Sequence, residues 1–365
     1  MPLSVGFDLT HARLNRTGLG RYPVELSSAL QARSSVRLIG LHAVDEPASS
    51  TAGRIVQGLT REGFYYPAGM RRAAARAGAQ VLHAPTPVPL RGGNLPTVVT
   101  VHDLLPLRMP HLFTRQTRWH TRLYIPFVRR ATRVITPSEY TRAEVIELLG
   151  IPEARVIAIP EGANERFAAQ EVDRDRLRTE LGISAPYVLC VGTLEPRKNL
   201  TTVLRVFRRV LDAVPEAELV IVGGGGWGNE DFEAELGRDG AARRVRVTGF
   251  VSDARLVELY AGAACFLFPS LGEGFGLPPL EAMACGAPVV VSDRPAIPEV
   301  TGDAALQALP EDVEALAGHV SRVLQDEELA AAMRSAGLAR ARHFTWPRAA
   351  AETERVYREA LAAGH

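Results

Sequence analysis

Apolar residues fall along this chain in short unbroken runs, separated by longer stretches where they recur every three or four positions. The runs Leu3–Leu9, Val36–His42, Gln80–Ala84, Thr97–Asp103 and Arg133–Ser138 read as strands. Arg21–Arg33 and the SEYTRAEVIELLG segment read as helices. Unbroken apolar strands alternating with helices predict a parallel sheet covered on both faces. The pattern pauses at VIAIPEGANERF, punctuated by Pro160 and Gly162, and a charged stretch follows. It resumes with strands at Pro186–Gly192, Ala217–Gly226, Val245–Phe250, Cys265–Ser270 and Ala287–Asp293. The expectation is two doubly wound, Rossmann-like α/β domains, residues 1–165 and 172–345, meeting within Glu161–Glu171. The last segment, WPRAAAETERVYREALAAG, is amphipathic, and the helix at about 346–365 is expected to pack back onto the first domain.

Composition narrows the function classes. The chain has 365 residues, enough for two ordinary cores, and a formal net charge of +1, so any basic footprint has to be local. Cys190, Cys265 and Cys285 sit far apart in apolar contexts, as buried thiols do in a reducing compartment. No metal-ligand cluster is visible and no Asp-x-Asp ends a strand, so no metal and no cofactor are expected. No signal peptide and no span of roughly 18 apolar residues is evident, so the expected localisation is cytoplasmic.

Ligands of open α/β sheets bind beyond the carboxyl ends of strands, and four polar clusters fall there. GTLEPRKNL leaves one strand and enters a helix, placing Arg197 and Lys198 near a helix N-terminus, where cations are disfavoured; a solvated surface pair and a pair that holds an anion are both open readings of the motif by itself. FPSLGEGFGLPPLEAMACG carries Glu273 on a glycine-rich turn and places Glu281 in what reads as the first turn of a helix. Carboxylates of this kind accept hydrogen bonds from paired hydroxyls. THARLNRTGLGRYPVEL, with Gly18 and Gly20, is open to two readings, a phosphate cradle or an ordinary loop. His102 and Asp103 follow a strand directly. There too a structural histidine and one that binds a sugar hydroxyl or positions a carbonyl both remain open.

EPRKNL followed by GEGFGLPPLEAMACGAPVV, together with TVHDLLPLRMP, VITPSEYTR, VIAIPEGAN and VTGFVSDARLVELYAGA in that order, resembles the retaining glycosyltransferases of family 4. The resemblance implies the GT-B fold, two Rossmann-like domains facing a central cleft, and metal-independent transfer from a nucleotide-diphosphate sugar to a glycan or lipid-linked acceptor. It implies that Arg197 and Lys198 hold the diphosphate, that Glu281 binds the ribose, and that Glu273 holds hydroxyls of the transferred sugar. The N–H groups of Phe275, Gly276 and Leu277 would approach sugar and phosphate, with Val251 near the base. His102 would reach the donor sugar, and Gly18–Arg21 would close over diphosphate and acceptor. Some relatives carry an arginine where this chain has Thr193, and its role would fall to Arg197. HDLLPL resembles mannosyltransferases of polysaccharide assembly, making GDP-mannose the first expected donor and a UDP-sugar the second. An epimerase of the same fold and a non-catalytic nucleotide-sugar-binding protein are the alternatives. Nucleic acid is not an expected partner.

Leu104–Ser138 contains seven arginines and no acidic residue, interleaved with Trp119, Tyr124 and Phe127. Arg115, Arg118, Arg122 and Arg129 follow spacings that share one helical face. A solvated face and peripheral contact with anionic membrane are both consistent with this pattern.

Overall fold

The computed structural model describes residues 2–14, 18–43, 50–184, 186–228, 230–237 and 243–363. The chain forms two compact units: Met1–Gly162 with Thr345–His365, and Ala163–Phe344.

The first unit holds six strands, β1 (Leu3–Asp8), β2 (Val36–Leu41), β3 (Val81–Ala84), β4 (Thr97–Thr100), β5 (Arg133–Thr136) and β6 (Val156–Ala158). They pair in parallel in the order β2-β1-β3-β4-β5-β6. Every residue of β3 and β4 is buried, as in the interior strands of a parallel sheet covered on both faces. The helix Glu139–Leu149 is bounded as its sequence dictates. Ser138 Oγ accepts from the Thr141 N–H at its start, and Gly150 adopts φ 61° at its end. The helix Trp346–Ala363 buries Trp346, Ala349, Ala350, Thr353, Val356, Tyr357 and Ala360, a stripe at helical spacing, and packs against the helix Gly18–Gln31 of the same unit.

The second unit holds β7 (Tyr187–Val191), β8 (Glu218–Val222), β9 (Val245–Gly249), β10 (Cys265–Phe268), β11 (Val289–Ser292) and β12 (Ala305–Ala308). All pair in parallel, in the order β12-β11-β10-β7-β8-β9. Numbered within the unit this is the 3-2-1-4-5-6 order of a dinucleotide-binding sheet, and the order reverses between β7 and β10. β8 and β11 are buried along their whole length, whereas the edge strand β9 is not. All three cysteines are free and buried.

Three expectations are corrected. β6 and β12 are strands that the apolar pattern did not announce. Both are short and both end their sheets; β6 buries only Val156 and every residue of β12 is partly exposed, so continuous hydrophobicity is not required of them. The helix expected from Arg21 begins at Gly18, which places Gly18 and Gly20 in its first turn rather than in an open loop. A short helix, Thr10–Leu14, occupies the start of that segment, and residues 15–17 lie outside the described ones.

Candidate functional site

The reversal between β7 and β10 brings together two of the clusters. After β7 the chain makes a tight 3-10 turn, Pro196–Lys198, and enters the helix Leu200–Ala213. Asn199 joins them at φ 56°, a left-handed conformation that asparagine tolerates better than most residues. Its Nδ2 donates to the carbonyls of Pro269 (3.1 Å) and Pro310 (3.0 Å), tying this turn to the segment after β10. After β10 the chain turns through Ser270–Gly276 and enters the helix Leu277–Ala284. Gly276 sits at φ 114°, a conformation that side chains resist, so the turn requires glycine there. Gly226, beyond β8, is held for a different reason: a Cβ would lie 1.5 Å from the Leu194 carbonyl oxygen, so the backbones pack directly.

These turns converge on Glu273. Its Oε1 accepts from Lys198 Nζ at 2.7 Å and from Ser270 Oγ at 2.6 Å, and its Oε2 pairs with Arg197 Nη1. Arg197 Nη1 also donates to the Gly272 carbonyl at 3.0 Å, and Arg197 Nη2 lies 3.4 Å from Glu195 Oε1. Ser270 is in turn fixed by Ser292, whose Oγ donates to its carbonyl at 2.6 Å. Both Lys198 and Glu273 are buried, 8% and 7% exposed. Burial alone would raise the Glu273 carboxyl, but the charges of Arg197 and Lys198 bring it down to about 2, so it is ionised. Lys198 is shifted the other way. Burial, then Arg197, lower its pKa more than Glu273 raises it. The ammonium is therefore held at a cost, with Phe268 beneath it at 4.9 Å. An ammonium has three donors. Only the contact with Glu273 occupies one of them among the described residues. The two remaining donors have no partner among the described residues.

The site thus gathers Arg197, Lys198 and Glu273 as a unit but commits both Glu273 oxygens inside the protein. Glu273, expected to hold hydroxyls of the transferred sugar, holds the two cations with its carboxylate. Glu281 lies in the second turn of its helix, not the first as expected, because the helix starts at Leu277 with Gly276 as its cap. It is buried, and its Oε2 accepts from Tyr260 OH at 3.1 Å. The Phe275 side chain is buried against Phe344 (ring centroids 5.9 Å apart), so any ligand contact it makes is through its backbone. Leu277 and Val251 are partly buried against the same core. Ser270, Asn199, Glu195 and Tyr260 were not singled out from the sequence. The signal available was Asn199 at a helix entry and the serine in FPS directly before the glycine-rich turn.

In the first unit His102 follows β4 and has both ring nitrogens engaged. Nε2 lies 2.9 Å from the Pro85 carbonyl oxygen and Nδ1 3.3 Å from Glu161 Oε1, and Tyr22 packs edge-on at 4.7 Å. The basic segment forms the helix Arg115–Val128. The expected four-arginine face is corrected to three, because Arg129 lies beyond the helix and its Nε donates to the Leu149 carbonyl at 2.7 Å. Arg108 pairs with Glu144 and Glu147. Arg115 and Arg122 are exposed beside Trp119 and Leu123, which are 60% and 43% exposed. No helix among the described residues is long and apolar enough to cross a membrane.

Comparison with known proteins gives this geometry a context. Residues 16–167 match the model for Glycosyltransferase Family 4, and residues 173–340 that for Glycosyl transferases group 1. O-antigen chain mannosyltransferase B of Escherichia coli is 29% identical, over 94% of this chain and 96% of its own. The serotype-specific mannosyltransferase WbdA of the same species is 31% identical over 71% of this chain, which spans only 33% of that longer protein. The fold is shared with a sucrose-phosphate synthase from Thermosynechococcus elongatus, with a TM-score of 0.74, 22% identity, and coverage of 99% of this chain and 100% of that one. It is shared as well with Anabaena HepE, solved with UDP, at a TM-score of 0.71, 19% identity, and coverage of 98% and 100%. With a family model matched in each half and a parallel Rossmann-like sheet in each unit, this chain is a glycosyltransferase of the GT-B fold.

Proposed function

We propose that this enzyme is a retaining, metal-independent mannosyltransferase that uses GDP-mannose and extends a glycan or lipid-linked acceptor, with a UDP-sugar as the second choice of donor. The observation that carries the reading is Lys198, a buried ammonium at the switch point of the second sheet with two donors unspent. A diphosphate there offsets the burial that depresses the lysine, and Arg197 beside it adds a planar fork. Because both are fixed before the donor arrives, they stabilise the charge that develops on the leaving diphosphate without reorganising. This is the role a divalent cation plays in other transferases, and it is why no metal is invoked. In this reading Glu281 accepts from ribose hydroxyls, and the N–H groups at Phe275–Leu277, at the entry of a helix where anions are favoured, meet the donor.

Glu273 is a poor nucleophile in this arrangement. It is buried and both oxygens are bonded, which supports retention through assistance by the leaving phosphate rather than through a glycosyl-enzyme. The mannosyltransferase names of the relatives support the donor sugar. The test is a transfer assay with GDP-mannose and UDP-sugars, with and without EDTA, on a mannan-type acceptor. The expected product is an α-linked mannoside from GDP-mannose at an undiminished rate in EDTA. A β-linked product, or a strict requirement for Mg²⁺, contradicts the reading, and donor conversion without transfer identifies an epimerase.

The acceptor side is proposed to meet an anionic membrane through the helix Arg115–Val128. Arg115 and Arg122 flank the exposed Trp119 and Leu123, an amphipathic arrangement that suits a lipid interface. Each cation near such a surface contributes about 1 kcal/mol, so binding is reversible and salt-sensitive. Wild-type protein is expected to float with vesicles containing anionic lipid at low salt. Exchange of Arg115, Arg118 and Arg122 for glutamine abolishes this while the protein remains folded. Equal flotation with neutral vesicles, or none with either, removes the membrane from the account.

A further inference from the structure

The proposed function leaves His102 without an assigned protonation state, although its surroundings specify one. Its Nε2 faces the Pro85 carbonyl oxygen at 2.9 Å, and a carbonyl only accepts, so Nε2 carries a proton. Its Nδ1 faces Glu161 Oε1 at 3.3 Å. Glu161 is 4% exposed, and His102 is its one ion-pair partner among the described residues. A buried carboxylate with a neutral imidazole as its sole partner is an uncompensated charge, whereas one facing an imidazolium is paired.

The remaining groups around the ring do not supply a competing positive charge. His11, on the short helix Thr10–Leu14, is brought down to about 4 by burial, and His83, on β3, to about 3 for the same reason. His83 is further spent on neutral partners, with Nδ1 2.6 Å from Tyr357 OH and Nε2 2.9 Å from Thr100 Oγ1. Tyr22, from the helix Gly18–Gln31, presents its ring edge-on, and Thr141, from the helix Glu139–Leu149, reaches the His102 backbone carbonyl at 3.5 Å. Asp103, next in the chain, adds a second carboxylate. Burial lowers the His102 pKa, but Glu161, the Pro85 carbonyl and Asp103 together raise it above its ordinary value.

We infer that Glu161 and the Pro85 carbonyl hold His102 as an imidazolium at neutral pH. It is a positioning residue that locks the segments following β3, β4 and β6 to one another and presents a fixed positive charge at the strand ends, and it takes no part in proton transfer. Glu161 is the residue that makes this possible, and it lies in the stretch that the sequence pattern presents as a domain boundary. With a raised folded pKa, the pair's contribution to stability is complete below about pH 6.5 and is lost as pH rises through the folded value.

The experiment is nitrogen-detected NMR on the full chain with labelled histidine, read beside the pH profile of sugar transfer. In wild-type protein both His102 nitrogens are expected to carry protons at pH 7.5. In Glu161→Gln the ring's pKa falls, and the alkaline limb of kcat/KM moves down with it. Glu161→Asp restores both in part. A neutral His102 in the wild type at pH 7.5 overturns the inference, and that measurement needs no variant to fold. A titration unchanged in Glu161→Gln overturns it equally. Only the kinetic half rests on the transferase reading. A protonated ring in a protein that transfers no sugar would refute that reading and leave this inference standing, and a neutral ring in an active transferase would do the reverse.

Discussion

Replacing Lys198 with alanine is expected to lower sugar transfer at least a hundredfold, by analogy with removal of one preorganised donor to a developing oxyanion. The ammonium is buried at the point where the sheet order reverses, with two donors unspent. Losing it removes charge stabilisation that grows as the diphosphate departs, so the effect falls on kcat as well as on affinity for the donor. Folding is expected to survive, because burial holds this lysine below its ordinary pKa and its removal leaves Glu273 paired with Arg197. Steady-state kinetics beside circular dichroism checks both halves. A folded variant with wild-type turnover would exclude Lys198 from the leaving-group site.

Glu273→Ala is expected to have the largest effect on stability. It leaves the buried Lys198, and the partly buried Arg197, without the carboxylate that both of them use, and breaking a buried pair by removing one partner costs about 3–5 kcal/mol. Urea unfolding reads this directly. Glu273→Gln keeps the shape and isolates the charge, and pH gives it a signature. The folded carboxyl titrates at about 2, below its ordinary 4.5, so the stabilisation it supplies is complete above about pH 4.5 and disappears as pH falls toward 2. The gap between wild type and Glu273→Gln should therefore close over that interval. A gap that is constant from pH 7 down to pH 3 would show that the charge of Glu273 does not hold the cluster together.

These two residues also show how far the sequence could be read. The motifs EPRKNL and GEGFGLPPLEAMACG were legible because glycines, cations and carboxylates at strand ends are locally anomalous. The strands β3, β4, β8 and β11 were legible because each is buried throughout and built mostly of apolar, chiefly β-branched, residues. What the pattern could not carry was sheet order. The placing of β7 beside β10 brings Lys198 to Glu273 across 75 residues, and no periodicity encodes that pairing. The same gap hid the commitment of both Glu273 oxygens and the partnership of Glu161 with His102, since Pro160 and Gly162 made the latter segment look like a linker. Glu281 was read into the first turn because Pro278 looked like the start of the helix; the helix starts one residue earlier, at Leu277, which puts Glu281 at the beginning of the second turn. The edge strands β6 and β12 escaped because half-buried edges need no unbroken apolar run.

If the turn after β7 binds the diphosphate of a nucleotide sugar through Lys198, calorimetry with GDP and GMP, on wild type and on Lys198→Ala, will read it. Wild-type protein is expected to bind GDP about tenfold more tightly than GMP, the 1.4 kcal/mol that one charge-assisted contact readily supplies, and Lys198→Ala to erase most of the difference. Equal affinity for GDP and GMP in the wild type, or an undiminished preference in the variant, would contradict it.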